Sequence, residues 1–97
     1  MKLTKKDIMA IEELGWSVHK TSNGYCLENY SPEGGDMVIE EQDKEGIINY
    51  CDNYDAEEEF EVWYGAHNGE PLNPGELWQD CLDKGEMYDK LKEVLEQ

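Results

Sequence analysis

The chain of 97 residues contains no arginine, and its eight basic residues are all lysines, set against 24 acidic residues. Arginine carries the planar bidentate fork that suits phosphate best, so its absence argues against direct binding of nucleic acid. No lysine occurs between residues 45 and 83, a stretch that holds eleven carboxylates. With a formal net charge of -16, we expect a surface that repels nucleic acid and attracts proteins that bind it.

Long apolar runs, an export signal and paired cysteines are missing as well. No apolar run approaches the roughly 20 residues that cross a bilayer, and residues 2–7 lack the apolar stretch of an export signal. The three cysteines show no CxxC spacing and favour free, buried thiols in a reducing compartment over a disulfide framework. The sequence therefore predicts a cytoplasmic protein that does not enter a membrane.

Aromatic residues, in contrast, are plentiful. They make up 10% of the chain, and each can bury roughly 150–250 Å² when packed. This content argues against the disordered state that a high net charge and a mean hydropathy of -0.85 would otherwise favour. Since neither a repeat nor a long linker divides the chain, we expect one acidic domain over residues 1–97.

The amino-terminal half carries signals for one helix followed by strands. Thr4 and Asp7 form an acidic capping box ahead of a helix over roughly residues 4–14. Alternating patterns predict three strands, at residues 16–20, 25–30 and 36–41. Because the connections between them are short, they are expected to pair as an antiparallel meander, with one face partly open.

The carboxyl-terminal half is helical in its periodicity. Residues with the chemistry of an N-cap start three predicted helices: Asp43, Asp55 and Asn73. In the helix that begins at Asp55, the acids are expected to face outward and three aromatic residues to face inward: Phe60, Trp63 and Tyr64. Residues 65–72 are predicted to form a loop, and Gly85 to interrupt the last helix. The expected class is α+β, with a small three-stranded antiparallel sheet packed with an N-terminal helix and two to three C-terminal helices.

The densest charge lies in residues 52–61, which hold six carboxylates in ten positions. A charge run can be merely a solvated face of the protein. Carboxylates fixed on helices with aromatic anchors can, however, imitate a line of phosphates and attract a groove that binds DNA. The candidate partner-binding residues are Asp52, Asp55, Glu57, Glu58, Glu59 and Glu61, with Glu40, Glu41 and Glu45 as a second cluster.

Metal binding and catalysis are the alternatives to partner binding. Residues 41–52 approach the calcium-loop template, but glutamate stands first, aspartate stands last and a predicted strand precedes the loop. Zinc ligands would have to converge from distant positions without ligand spacing: His19, His67, Cys26, Cys51 and Cys81. No phosphate loop, nucleophile elbow or serine–histidine pairing occurs. We therefore expect no metal, no cofactor and no enzymatic activity.

Two resemblances bear on function. Scattered residues resemble a pattern common in small proteins of phages and mobile elements of low-GC Gram-positive bacteria: Asp55-Ala56-Glu57-Glu58, Trp63, Gly69-Glu70-Pro71, Glu76-Leu77, Asp80 and the ending Met87 to Leu91. In layout and charge the chain is similar to small anti-CRISPR proteins that block type II-A effector nucleases. This likeness implies an inhibitor that occupies a basic nucleic-acid channel in the host bacterial cytoplasm. An immunity protein or antitoxin that neutralises a basic toxin is the alternative, and the oligomeric state stays open.

Overall fold

A computed structural model describes residues 2–66 and 73–97. The elements in chain order are α1 (Lys5–Glu13), β1 (Ser17–Lys20), β2 (Tyr25–Tyr30), β3 (Asp36–Glu41), α2 (Lys44–Asp52), α3 (Ala56–Ala66) and α4 (Pro74–Glu96). The predicted α+β arrangement is confirmed. The predicted loop at 65–72 is wrong at its start, because α3 continues through Ala66, and residues 67–72 lie outside the described residues.

Side chains predicted as caps hold the helix starts. The Thr4 N–H donates to Asp7 Oδ2 at 2.9 Å and the Asp7 N–H donates to Thr4 Oγ1 at 3.1 Å, which completes the capping box. Asp43 Oδ1 accepts from the Gly46 N–H at 2.8 Å, and Asn73 caps α4 in the same manner. Each cap satisfies backbone donors that lack partners within the helix.

The sheet is an antiparallel meander in the order β1-β2-β3. Val18, Leu27 and Ile39 lie side by side across the three strands, and Leu27 and Ile39 are fully buried beneath the helices. Neighbouring positions such as Glu28 and Val38 turn to the opposite face and are exposed, because successive strand residues alternate. That face is open, in agreement with the sequence.

The longest element is α4, with 23 residues. It passes Gly85 without a break, so the predicted interruption is wrong. A Cβ at Gly85 would lie 3.4 Å from Cε2 of Tyr54, so the glycine lets that ring pack closely against α4. In residues 2–66 and 73–97 no helix combines the length and the apolar character needed to cross a membrane.

The helix α3 lies outside the core and packs chiefly on α4. The prediction that its aromatic residues face the core is wrong. Phe60 is half-buried, Trp63 is 44% exposed and Tyr64 is 51% exposed. Phe60 stacks on Tyr64, with ring centroids 5.5 Å apart, and meets Trp78 edge to face at 5.6 Å. The buried face of the sheet is covered by the other helices, and α3 packs on the side of α4 instead.

Candidate acidic interface

A row of carboxylates lines the exposed side of α3. Asp55 caps this helix, since its Oδ1 accepts from the N–H groups of Glu57 at 2.9 Å and Glu58 at 3.4 Å. Acids in the first turn are favoured by the positive end of the helix dipole. Glu57, Glu58 and Glu61 are all exposed, as predicted. The capped start therefore fixes the backbone from which these exposed charges project.

Glu59 differs from its neighbours because it is tied to a buried lysine. Lys84 Nζ lies 3.4 Å from Glu59 Oε1 and 3.4 Å from Asp80 Oδ2. The Ser31 hydroxyl donates to Asp80, and Lys84 Nζ lies 5.9 Å from the ring centroid of Trp63. Such a buried ionic network is strongly destabilised when one partner is removed. Glu59 therefore serves to fasten α3 to α4.

The remaining candidate acids are scattered over the molecule. Asp52 forms an ion pair with Lys92 at 2.6 Å, which neutralises part of its charge. Glu40 and Glu41 are consecutive in β3, so they point to opposite faces of the sheet, and Glu40 is exposed on the open face. Glu45 is exposed in the first turn of α2. The second predicted cluster is thus divided between two faces.

A groove of about 570 Å³ runs between the end of β3, α2 and α3. Four carboxylate residues line it: Glu41, Asp55, Glu58 and Glu59. Four aromatic residues also line it: Tyr50, Tyr54, Trp63 and Tyr88. Among the residues that the structure describes, none of those lining the groove is basic. The groove thus combines acids from both predicted clusters with an aromatic surface.

Tyr88 is buried and forms the back of the groove. Its ring centroid lies 4.8 Å from that of Tyr54 and 5.6 Å from that of Tyr50. The Tyr54 hydroxyl donates to the Cys81 carbonyl at 2.8 Å. Burial, followed by the nearby Glu59 carboxylate, raises the pKa of Tyr54, and burial also raises the pKa of Tyr88. Both hydroxyls therefore stay neutral at physiological pH.

One oxygen of Glu59 is short of a donor. The Trp63 Nε1–H donates to Glu59 Oε1 at 3.4 Å, and Lys84 reaches the same oxygen. Glu59 Oε2 is buried and, among the described residues, receives no hydrogen bond of good geometry. The Tyr54 hydroxyl, which donates to the Cys81 carbonyl, lies close enough to the Glu59 carboxylate for a hydrogen bond that raises the Tyr54 pKa. An unpaired buried acceptor would cost roughly 1–3 kcal/mol, and Tyr54 is a nearby donor that can reduce this cost.

Metal ligation finds no support in the described parts of the chain. In residues 2–66 and 73–97 no three side chains of the metal-binding types come close enough to hold an ion. Residues 44–52 of the calcium template form α2, and His67 lies outside the described residues. The three cysteines are free: Cys51 and Cys81 are buried as predicted, whereas Cys26 is only half-buried.

Sequence reasoning missed the aromatic side of the groove. Tyr50 and Tyr54 have the spacing of an apolar helix face, which predicts burial in the core. Tyr50 is instead exposed, and Tyr54 is half-buried with its hydroxyl bonded to α4. Their phenolic oxygen is the sequence feature that argues against full burial, because a tyrosine favours positions where its hydroxyl meets water or a polar partner.

Comparison of the chain with protein-family models, with characterised proteins and with solved structures finds no match. A fold by itself does not define an activity, since one architecture supports many functions.

Proposed function

We propose that this protein is a non-enzymatic inhibitor that imitates nucleic acid and blocks the basic channel of a host defence nuclease. The favoured target is a type II-A CRISPR effector in the cytoplasm of a bacterial host. The observation that carries this proposal is the exposed row of carboxylates on α3, in a chain with no arginine and a net charge of -16. Its action requires neither a cofactor nor direct contact with nucleic acid.

The physical basis is that a channel built for phosphates also accepts carboxylates. Lysines and arginines in such a channel exchange their counterions for the acids of the inhibitor, as they do for a nucleic-acid backbone. Glu57 and Glu61 are one helical turn apart, which places their Cβ atoms about 5–6 Å from each other. Since Asp55 fixes the helix start and Glu59 fastens it to α4, the backbone that carries these charges need not reorder on binding, and only the side chains lose freedom.

Capture of the target from a host lysate is the first experiment. The immobilised protein should retain a basic nuclease at moderate salt, and retention should fall steeply as salt rises from about 50 to 200 mM. Capture of a small basic toxin instead would indicate an immunity protein or antitoxin. Retention that does not depend on salt would contradict phosphate mimicry.

Glutamine substitutions then locate the contact. Glu57, Glu58 and Glu61 should be replaced together by glutamine and compared with a control that removes the same charge elsewhere. The control acids are exposed on α1 and at the end of α4: Glu12, Glu13 and Glu96. If even one α3 acid makes a close pair worth roughly 1.5 kcal/mol or more, the α3 variant should bind at least about tenfold more weakly. Equal affinities for the two variants would overturn the assignment to α3.

A further inference from the structure

We propose that the groove between α2 and α3 is the anchor site for an arginine side chain of the partner protein. This inference rests on the proposed function, because it names the group by which the basic partner is held. A guanidinium group is planar, stacks on aromatic rings and donates up to five hydrogen bonds from its edge to carboxylates. The groove offers both kinds of surface within one site.

The size and charge of the groove suit this occupant. Its volume of about 570 Å³ falls within the range of roughly 300–1,000 Å³ that is typical of small-ligand sites. Four carboxylate residues line it and none of the described lining residues is basic. A cation that enters this open groove therefore meets carboxylates beside aromatic rings, and one of these carboxylates, that of Glu59, is already paired with Lys84.

The aromatic surface is open to a ligand. Trp63 and Tyr50 both line the groove and are among the exposed large side chains. Tyr50 is supported from behind by the buried ring of Tyr88, and Trp63 is held by its bond to Glu59. Lys84 Nζ already lies 5.9 Å from the ring centroid of Trp63, so an entering cation would stack on Tyr50 and on the exposed part of the Trp63 ring. Arginine makes such contacts more often than lysine.

The carboxylates are held at the edge of the groove. A Cβ on Gly46 would lie only 2.5 Å from Glu41 Oε1, so the glycine allows this carboxylate to rest against the start of α2. Across the groove, Asp55 and Glu58 present exposed carboxylates at the start of α3. An entering guanidinium can donate to them, while an ammonium group lacks the plane needed to stack at the same time.

The indole N–H of Trp63 provides a direct readout, because it donates to Glu59. The intact ¹⁵N-labelled protein should be titrated with the peptide acetyl-Gly-Arg-Gly-amide, and the Trp63 signal assigned with Trp63→Phe. The arginine peptide should shift this signal saturably. The citrulline peptide, which has the same shape without the charge, should bind at least about tenfold more weakly, as expected when charge-assisted bonds are lost. The lysine peptide should bind more weakly than the arginine peptide.

Two variants with equal charge separate the groove from the rest of α3. Asp55→Asn with Glu58→Gln alters two lining residues, and asparagine preserves the helix cap. Glu57→Gln with Glu61→Gln alters two acids of the same helix that do not line the groove. The first pair should weaken binding of the arginine peptide at least about fivefold, and the second by less than about twofold. Equal losses, equal binding of arginine and citrulline, or no saturable shift would each overturn the inference.

Peptide binding and nuclease capture together distinguish a wrong groove assignment from a wrong proposed function. If the arginine peptide does not bind, but a basic nuclease is still captured and lost in the variant of Glu57, Glu58 and Glu61, the groove inference fails and the mimic stands. If the peptide binds as expected but no basic nuclease is captured, the arginine site stands and the mimic fails. If a basic nuclease is captured and the Asp55→Asn, Glu58→Gln pair does not weaken its capture, the groove is not the anchor for that partner.

Discussion

Replacement of Lys84 by methionine should remove the connection that holds α3 in place. Lys84 Nζ lies 3.4 Å from both Glu59 and Asp80, and its side chain is 5% exposed, against 25% for Glu59 and 14% for Asp80. Methionine keeps an unbranched, flexible side chain that can fill the same space. The substitution therefore removes the charge while it preserves most of the packing, and it leaves two largely buried carboxylates without a cation.

The expected loss follows from these distances. At 3.4 Å and an effective dielectric constant of about 20, one pair of unit charges interacts by roughly 5 kcal/mol. The cost of removing each ion from water, several kcal/mol, offsets much of this attraction. We therefore expect the free energy of unfolding to fall by about 3–5 kcal/mol, the usual loss when a buried pair is broken. For a domain of this size the melting temperature should fall by at least about 12 °C.

Urea unfolding monitored by tryptophan fluorescence measures this loss, and Lys92→Met is the matched control. Lys92 also pairs with an aspartate, but its side chain is 29% exposed and that of Asp52 is 58% exposed. An exposed pair contributes at most about 1 kcal/mol. Replacing Glu59 by glutamine and Asp80 by asparagine in the Lys84→Met background should recover part of the stability. If Lys84→Met costs no more than Lys92→Met, the buried network does not hold α3.

Titration, thiol chemistry and calcium each test another part of the structure. Burial acts to raise the pKa of Asp7, but hydrogen bonds from Thr4 together with Lys44 hold the pKa below its ordinary value of 3.8. The stability lost in Asp7→Asn, measured by urea unfolding across pH, should be complete well above pH 3.8, decrease as the pH falls below that value, and vanish only below the lowered pKa of the folded state. Burial raises the pKa of Cys51 to about 12 and also raises that of Cys81, so a thiol reagent should modify both far more slowly in the folded protein than in urea. Millimolar calcium should shift the melting temperature no more than magnesium, because residues 44–52 are helical.

The fold could be predicted because its signals are local. The caps at Thr4 and Asp43 depend on residues at most three positions away, and strand alternation needs only the segment itself. The placement of α3 depends on the rest of the molecule. Its periodicity identifies Phe60 and Trp63 as one face of a helix, but periodicity does not show whether a core is available to receive that face.

The site was harder to predict, because its geometry is not local. Glu40 and Glu41 are adjacent in sequence, yet strand alternation places them on opposite faces of the sheet. The lysine that engages Glu59 lies 25 positions along the chain, and composition contains no information on such a pairing. Clusters of acids along the chain therefore predict that the surface is negatively charged, but they do not show which acids line the same groove.

The acids of α3 meet two opposite requirements. Glu59, held by Lys84, stabilises the fold, and its paired oxygen is no longer available to another cation. Glu57 and Glu58 are exposed; their mutual repulsion opposes folding, and for the same reason they are available to a partner. A cationic partner would relieve this repulsion, so binding and folding are coupled and the complex should be more stable than the free protein. A helix with no buried residue at positions 56–65 can therefore remain in place while most of its charge stays free to bind.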